Sequence, residues 1–173
     1  GMRAQVWTRI PQTPQVKLAA RRDADFLLRA MRTQGAARGL YGYLADPKST
    51  EYDHSASQFA VLGAWAAAQG GVEIPRAYWT EVDRAWRGHQ YDDGSWSYRF
   101  KGTGDDTEAR PSMTAAGVAT LLITQEFLRP SAECKGNIDD ANIDKGMARL
   151  GEQMNQIFTG LGKNDNAWRY YLL

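Results

Sequence analysis

A single cysteine, Cys134, stands in the 173 residues. It excludes an internal disulfide and any cysteine-rich metal cluster. Histidine is almost as scarce: His54 and His89 are the two in the chain. With Cys134 they fall at no ligand spacing, whereas zinc takes at least three such groups around it. No metal and no cofactor is therefore expected. No apolar run is long enough to span a bilayer, and no signal-peptide pattern opens the chain. A dominant charge is missing too. The 21 Lys and Arg nearly balance the 20 Asp and Glu, leaving +1. That total gives no electrostatic case for nucleic acid or for an anionic membrane.

What is present is globular: 43% hydrophobic and 24% charged residues, a length that fits one domain with a proper core. Gly1 before Met2 has the look of a tag remnant, and residues 1–15, with Pro11 and Pro14, are expected to be an extended lead-in to a single domain over 16–173. A helix is predicted from Val16 to Gln34. Ala20, Ala24, Leu27, Leu28 and Met31 form its buried stripe, and Arg21, Arg22, Asp25, Arg29 and Arg32 lie mostly away from it. Glycines and Pro47 then make a turn region holding Tyr41 and Tyr43.

The next helix, Ala56 to Gln69, has no charged residue, and Asp53 or Ser55 can cap it. A third, after Pro75, is amphipathic with Tyr78, Val82, Ala85 and Trp86 inside. Ser112 to Phe127 is apolar almost all round, and Ile143 to Phe158 is again amphipathic. A terminal helix is expected over Ala167 to Leu173, with Trp168 to Leu173 mostly apolar. Odd helices have a wet face and even ones do not. A helix without a polar face is surrounded by others, so the pattern predicts outer and inner layers.

The alternation repeats. Gly39-Leu40-Tyr41-Gly42-Tyr43 corresponds to Gly94-Ser95-Trp96-Ser97-Tyr98 at 94 − 39 = 55, and Ser55–Trp65 to Ser112–Leu122 at 112 − 55 = 57. Ile143-Asp144-Lys145-Gly146-Met147 echoes Val82-Asp83-Arg84-Ala85-Trp86 at 143 − 82 = 61. Three helical hairpins of similar design account for this.

Gln90-x-x-Asp93-Gly94-x-Trp96 resembles the Gln–Trp repeat of squalene and hopene cyclases, and Ser57 to Ala67 resembles inner helices of bacterial cyclase-like repeat proteins. These proteins and the protein prenyltransferase β-subunits share an α/α toroid, an inner helix ring wrapped by an outer one. The resemblance implies an all-α fold, a partial α/α toroid of three hairpins with outer amphipathic and inner apolar helices. The expected function is that of a non-catalytic binding or scaffold module of a larger protein. The rival reading is an enzyme on a polyprenyl, triterpene or carbohydrate substrate, with part of its site outside this piece.

The motif itself carries architecture: Gln at an outer helix end bonds carbonyls, Asp-Gly turns the chain, and Trp96 ties adjacent hairpins. The chain departs from the family at Ala85, where an aromatic is usual. Thr103-Gly104-Asp105-Asp106-Thr107 resembles the Asp-x-Asp-Asp-Thr acid motif of class II cyclases, which would give Asp105 the role of acid; its first Asp is Thr103 here. The zinc set of the prenyltransferases and the Cys-Gly-Glu-Gln thioester of related toroids have no match. Tyr41, Tyr43, Asp53, His54, Trp96, Asp105 and Asp106 gather in the loops before the inner helices and are the candidate binding residues, for a hydrophobic or carbohydrate ligand. A half-ring also exposes its end helices, so a homodimer through the first or last helix is expected.

Overall fold

The computed structural model describes residues 1–7, 9–101, 105–129 and 139–158. Six α-helices, and no strand, occur among them: α1 (Met2–Val6), α2 (Pro14–Ala30), α3 (His54–Gln69), α4 (Arg76–Gly88), α5 (Pro111–Leu128) and α6 (Ala141–Phe158). The protein is all-α. Cys134, the Thr103-Gly104 dipeptide and the Trp168–Leu173 segment lie outside the described residues, so the expected last-helix contact does too. The chain divides into two compact units, Gly1–Ala85 and Trp86–Leu173, with the division inside α4.

The first unit begins differently from the extended lead-in expected over 1–15. That stretch contains α1, and α2 already starts at Pro14, with the Thr13 hydroxyl accepting from the Val16 N–H. Proline suits the first turn because its missing N–H has no helical acceptor there. Asp23 joins the two helices. It accepts from Arg3 Nε and from the Trp7 indole, each at 2.8 Å. On α2, Ala20, Asp23, Ala24, Leu27 and Ala30 are buried, and α1 and α2 both pack on α3.

One expectation about α2 fails. The helical spacing puts Arg32 on its outward side, but the helix ends at Ala30 and Met31 is extended, at φ −61° and ψ 137°. Arg32 therefore leaves the helical register and is buried, 1% exposed. Its guanidinium donates to the carbonyls of Glu51 and Leu44, both at 2.9 Å, and to that of Asp46. Carbonyl partners, rather than solvent, stabilise the charge.

The contrast between all-round apolar and amphipathic helices expected from the sequence is visible in burial. α3 and α5 bury residues on nearly all sides, whereas α2 buries one stripe. Between helices, each unit contains the same small hydrogen-bonded frame. In the first, Asp53 N–H donates to Tyr41 O (2.8 Å), Tyr41 N–H to the Ser57 hydroxyl (2.9 Å), and that hydroxyl to Asp53 O (2.7 Å). In the second, Arg110 N–H donates to Trp96 O (3.0 Å), Trp96 N–H to the Thr114 hydroxyl (3.5 Å), and that hydroxyl to Arg110 O (3.0 Å). The offsets are 96 − 41 = 55 and 114 − 57 = 57, as in the sequence repeat.

The frames share a glycine as well. Gly39 and Gly94 have φ of 91° and 87°, in the left-handed region that a β-carbon disfavours. A β-carbon on Gly39 would also run into the carbonyl of Glu81 on α4, and one on Gly94 into that of Lys145 on α6. Each turn thus docks bare backbone on the following outer helix. Gln90 reinforces the second dock: its amide donates to Gly94 O at 3.0 Å and Asn142 O at 2.9 Å, and its oxygen accepts from Asn142 Nδ2 at 2.6 Å.

A part-buried ion pair belongs to the second unit. Arg87 grips Asp140 with two bonds of 2.8 Å, while Gln125 of α5 donates to the same carboxylate. Asp140 also accepts from Asn142 N–H and Ile143 N–H, capping α6. Burial opposes its charge, but these donors outweigh it and hold the carboxyl below its ordinary pKa. Bonds from Arg3 hold Asp23 down, and bonds from Arg38 hold Glu81 down. A carboxylate with a lowered folded pKa contributes stability that is fully present above its unfolded pKa and is lost as pH falls through the folded one. Thermal midpoints should therefore be unaffected by these groups above about pH 5 and drop below about pH 4. Asp140→Asn should be less stable at neutral pH and lose less on acidification; an acid limb as steep as the native one would remove Asp140 from this account.

Candidate functional site

Among the described residues, the loop after α2 carries the most exposed large apolar side chains. Tyr43 is 81% and Leu44 77% exposed. Arg32 fixes the backbone beneath them through Leu44 O, so their exposure is built into the loop. Beside them an open hollow of about 200 Å3 is lined by Phe26, Leu27 and Ala30 of α2, Tyr41–Ala45 of the loop, and Ala56, Phe59 and Ala60 of α3, with Gly1 at its edge. The side chains lining it are apolar or aromatic, and tyrosine hydroxyls are their polar groups.

Tyr41 forms the inner wall. Its hydroxyl lies 3.0 Å from Leu27 O and 3.4 Å from the Tyr78 hydroxyl. Burial pushes both phenols well above their ordinary pKa, so neither supplies a base near neutral pH. Asp53 lies close behind Tyr41 and is engaged as the cap of α3, accepting from Ala56 N–H at 2.8 Å and the Ser55 hydroxyl at 2.6 Å. Of the two residues expected as caps, Asp53 is the cap, and Ser55 lies in the first turn and donates to it. His54 is wholly buried, with its ring edge-on to Tyr52 at 5.5 Å.

The remaining candidates belong to the second unit. Trp96 is 0% exposed and donates its indole N–H to Trp86 O at 2.9 Å. Asp105 starts a short 3-10 turn, Asp105–Thr107. Asp106 is exposed, 3.8 Å from Arg99 Nε, and its carbonyl accepts from Arg99 N–H. His89 is buried and stacked on Phe100 with ring centroids 4.9 Å apart. Among the described residues no three His, Cys, Asp or Glu side chains converge as a metal site, and no helix is long and apolar enough to cross a membrane.

Of the seven candidates, the hollow brings together Tyr41 and Tyr43. Sequence reasoning missed Phe26, Leu44 and Phe59. The available signal was Phe26 itself, a large apolar residue that falls off the buried stripe of α2.

No protein-family model, curated protein or solved structure matches this chain.

Proposed function

We propose that the chain is part of an α/α toroid of the terpenoid cyclase and prenyltransferase kind, and that it serves as a non-catalytic binding or scaffold module of a larger protein. The observation that carries this reading is the repeated frame. Tyr41–Asp53–Ser57 and Trp96–Arg110–Thr114 make the same bonds, and two residues ahead of each aromatic a glycine docks on the next outer helix. A unit that always docks on its successor is a unit that propagates. The polar candidates are largely committed to this framework, Asp53 as a cap and His54 inside the core. The hollow at Tyr43 and Leu44 is the contact we assign to a hydrophobic ligand, because apolar walls with few polar groups select for such a molecule.

Two measurements test this. Incubation with squalene and with a prenyl diphosphate should give no product. Product that disappears in Asp105→Asn would instead establish the enzymatic reading. A fluorescent fatty-acid analogue should bind, and Tyr43→Ser with Leu44→Ser should weaken it about tenfold, given the apolar area removed. Equal affinity in the double variant would remove the hollow from the proposal.

A further inference from the structure

The net charge of +1 conceals a sorting of cations that appears only in three dimensions. Arg3, Arg38, Arg84, Arg87, Arg99, Arg110 and Arg149 are all ion-paired. Arg32 is buried among carbonyls. On α2 the situation is the opposite. Lys17, Arg21, Arg22 and Arg29 are exposed, and among the described residues their side chains make no hydrogen bond or ion pair. With them on the outward side lie one acid, Asp25, and two large apolar residues, Leu18 at 52% and Phe26 at 54% exposure. The opposite face, Ala20, Ala24 and Leu27, is buried. Successive members of the outer set recur one turn apart, so they form a strip about 18 Å long at 1.5 Å per residue.

We infer that this face of α2 docks in the plane of a bilayer surface bearing anionic headgroups. The inference stands on α2 alone and does not depend on the toroid reading. Four uncompensated cations against one carboxylate supply the attraction, and long Arg and Lys side chains reach headgroups while Leu18 and Phe26 enter the acyl boundary. A helix face with apolar residues between cations is the form an interfacial helix takes. A second copy is disfavoured, since a two-fold contact through this face would set eight unpaired cations against two carboxylates. A nucleic acid would satisfy the cations but leave Leu18 and Phe26 without a role.

Sedimentation of the full chain with vesicles decides the matter. At low salt it should bind phosphatidylcholine vesicles containing phosphatidylglycerol and leave pure phosphatidylcholine vesicles unbound, with binding weakening as salt rises. Each removed cation should cost about fivefold, so Arg21→Gln, Arg22→Gln and Arg29→Gln together should cost roughly a hundredfold. Leu18→Ser, outside the hollow, should cost about tenfold through lost insertion. All four side chains are exposed, and unchanged urea midpoints would verify that the variants fold. Absence of binding to the anionic vesicles would overturn the inference. So would equal binding to both vesicle types, indifference to Leu18→Ser, or an oligonucleotide bound as tightly as the vesicles.

Discussion

Replacing Trp96 with alanine is expected to lower folding stability by about 3 kcal/mol or more, the largest single-residue loss in the second unit. The ring is completely buried, and its indole N–H satisfies Trp86 O in the last turn of α4. The ring meets two glycines. A β-carbon on Gly117 of α5 would run into the ring, and one on Gly146 of α6 would come within 3.1 Å of it and 2.6 Å of a Val118 methyl. Deleting the indole leaves a cavity that these bare backbones cannot fill, and it takes from Trp86 O the shorter of its two donors, leaving the His89 N–H at 3.3 Å. Trp96→Phe should lose the hydrogen bond and part of the packing, about 1–2 kcal/mol. The glycines supply an internal control. Gly117→Ala alone should cost about 2 kcal/mol through overpacking, and that cost should largely vanish in the Trp96→Ala background. Urea unfolding of the four proteins closes the cycle. A Trp96→Ala loss below about 1.5 kcal/mol, or strictly additive changes, would remove Trp96 as the element tying α5 to α6.

That much of Trp96 was legible in the sequence because local chemistry specifies it. Asp93-Gly94 needs a turn wherever it occurs, a 3.6-residue period identifies a wet or dry helix face, and a repeat at 55–57 residues marks equivalent turns. Gln90 bonding carbonyls at a helix end is of the same kind. Where the expectation failed, the deciding contact was distant in the chain. α1 exists in the structure as the partner of α2 and α3, and its anchor, Asp23, lies 20 residues from Arg3. No window of five residues announces that. The candidate site was only half legible for a related reason. Tyr41 and Tyr43 are near neighbours in a glycine-rich turn, yet one is in the core and the other is exposed. Irregular backbone has no period with which to sort them, and the other walls of the hollow come from α2 and α3.

Arg32 poses the same problem in its strongest form, and its replacement should unlock the loop that the candidate site depends on. The side chain is buried, and its fork of donors reaches three carbonyls spread over residues 44–51. The neighbouring Thr33 adds two bonds to Pro47 O, from its N–H at 2.9 Å and its hydroxyl at 3.0 Å. Arg32→Met keeps the length and apolar stem but supplies no donor. Hydrogen bonds from a charged group contribute about 1.5–3 kcal/mol each, while removing a buried charge returns part of that, so a net loss of about 3 kcal/mol is expected. Arg32→Lys should recover little of it. An ammonium is a compact donor and cannot span carbonyls that a planar guanidinium bridges. The loop has its own reporter: Lys48 is exposed on it, and trypsin cuts after lysine where the backbone can open. Native protein should resist cleavage there, and both variants should be cut rapidly under conditions where the remaining helices stay folded. Apolar-probe binding at Tyr43 and Leu44 should fall in parallel, because a released loop presents those side chains in no fixed place. An Arg32→Lys protein as resistant to trypsin as the native one would mean that charge alone, not the fork, holds the loop in place.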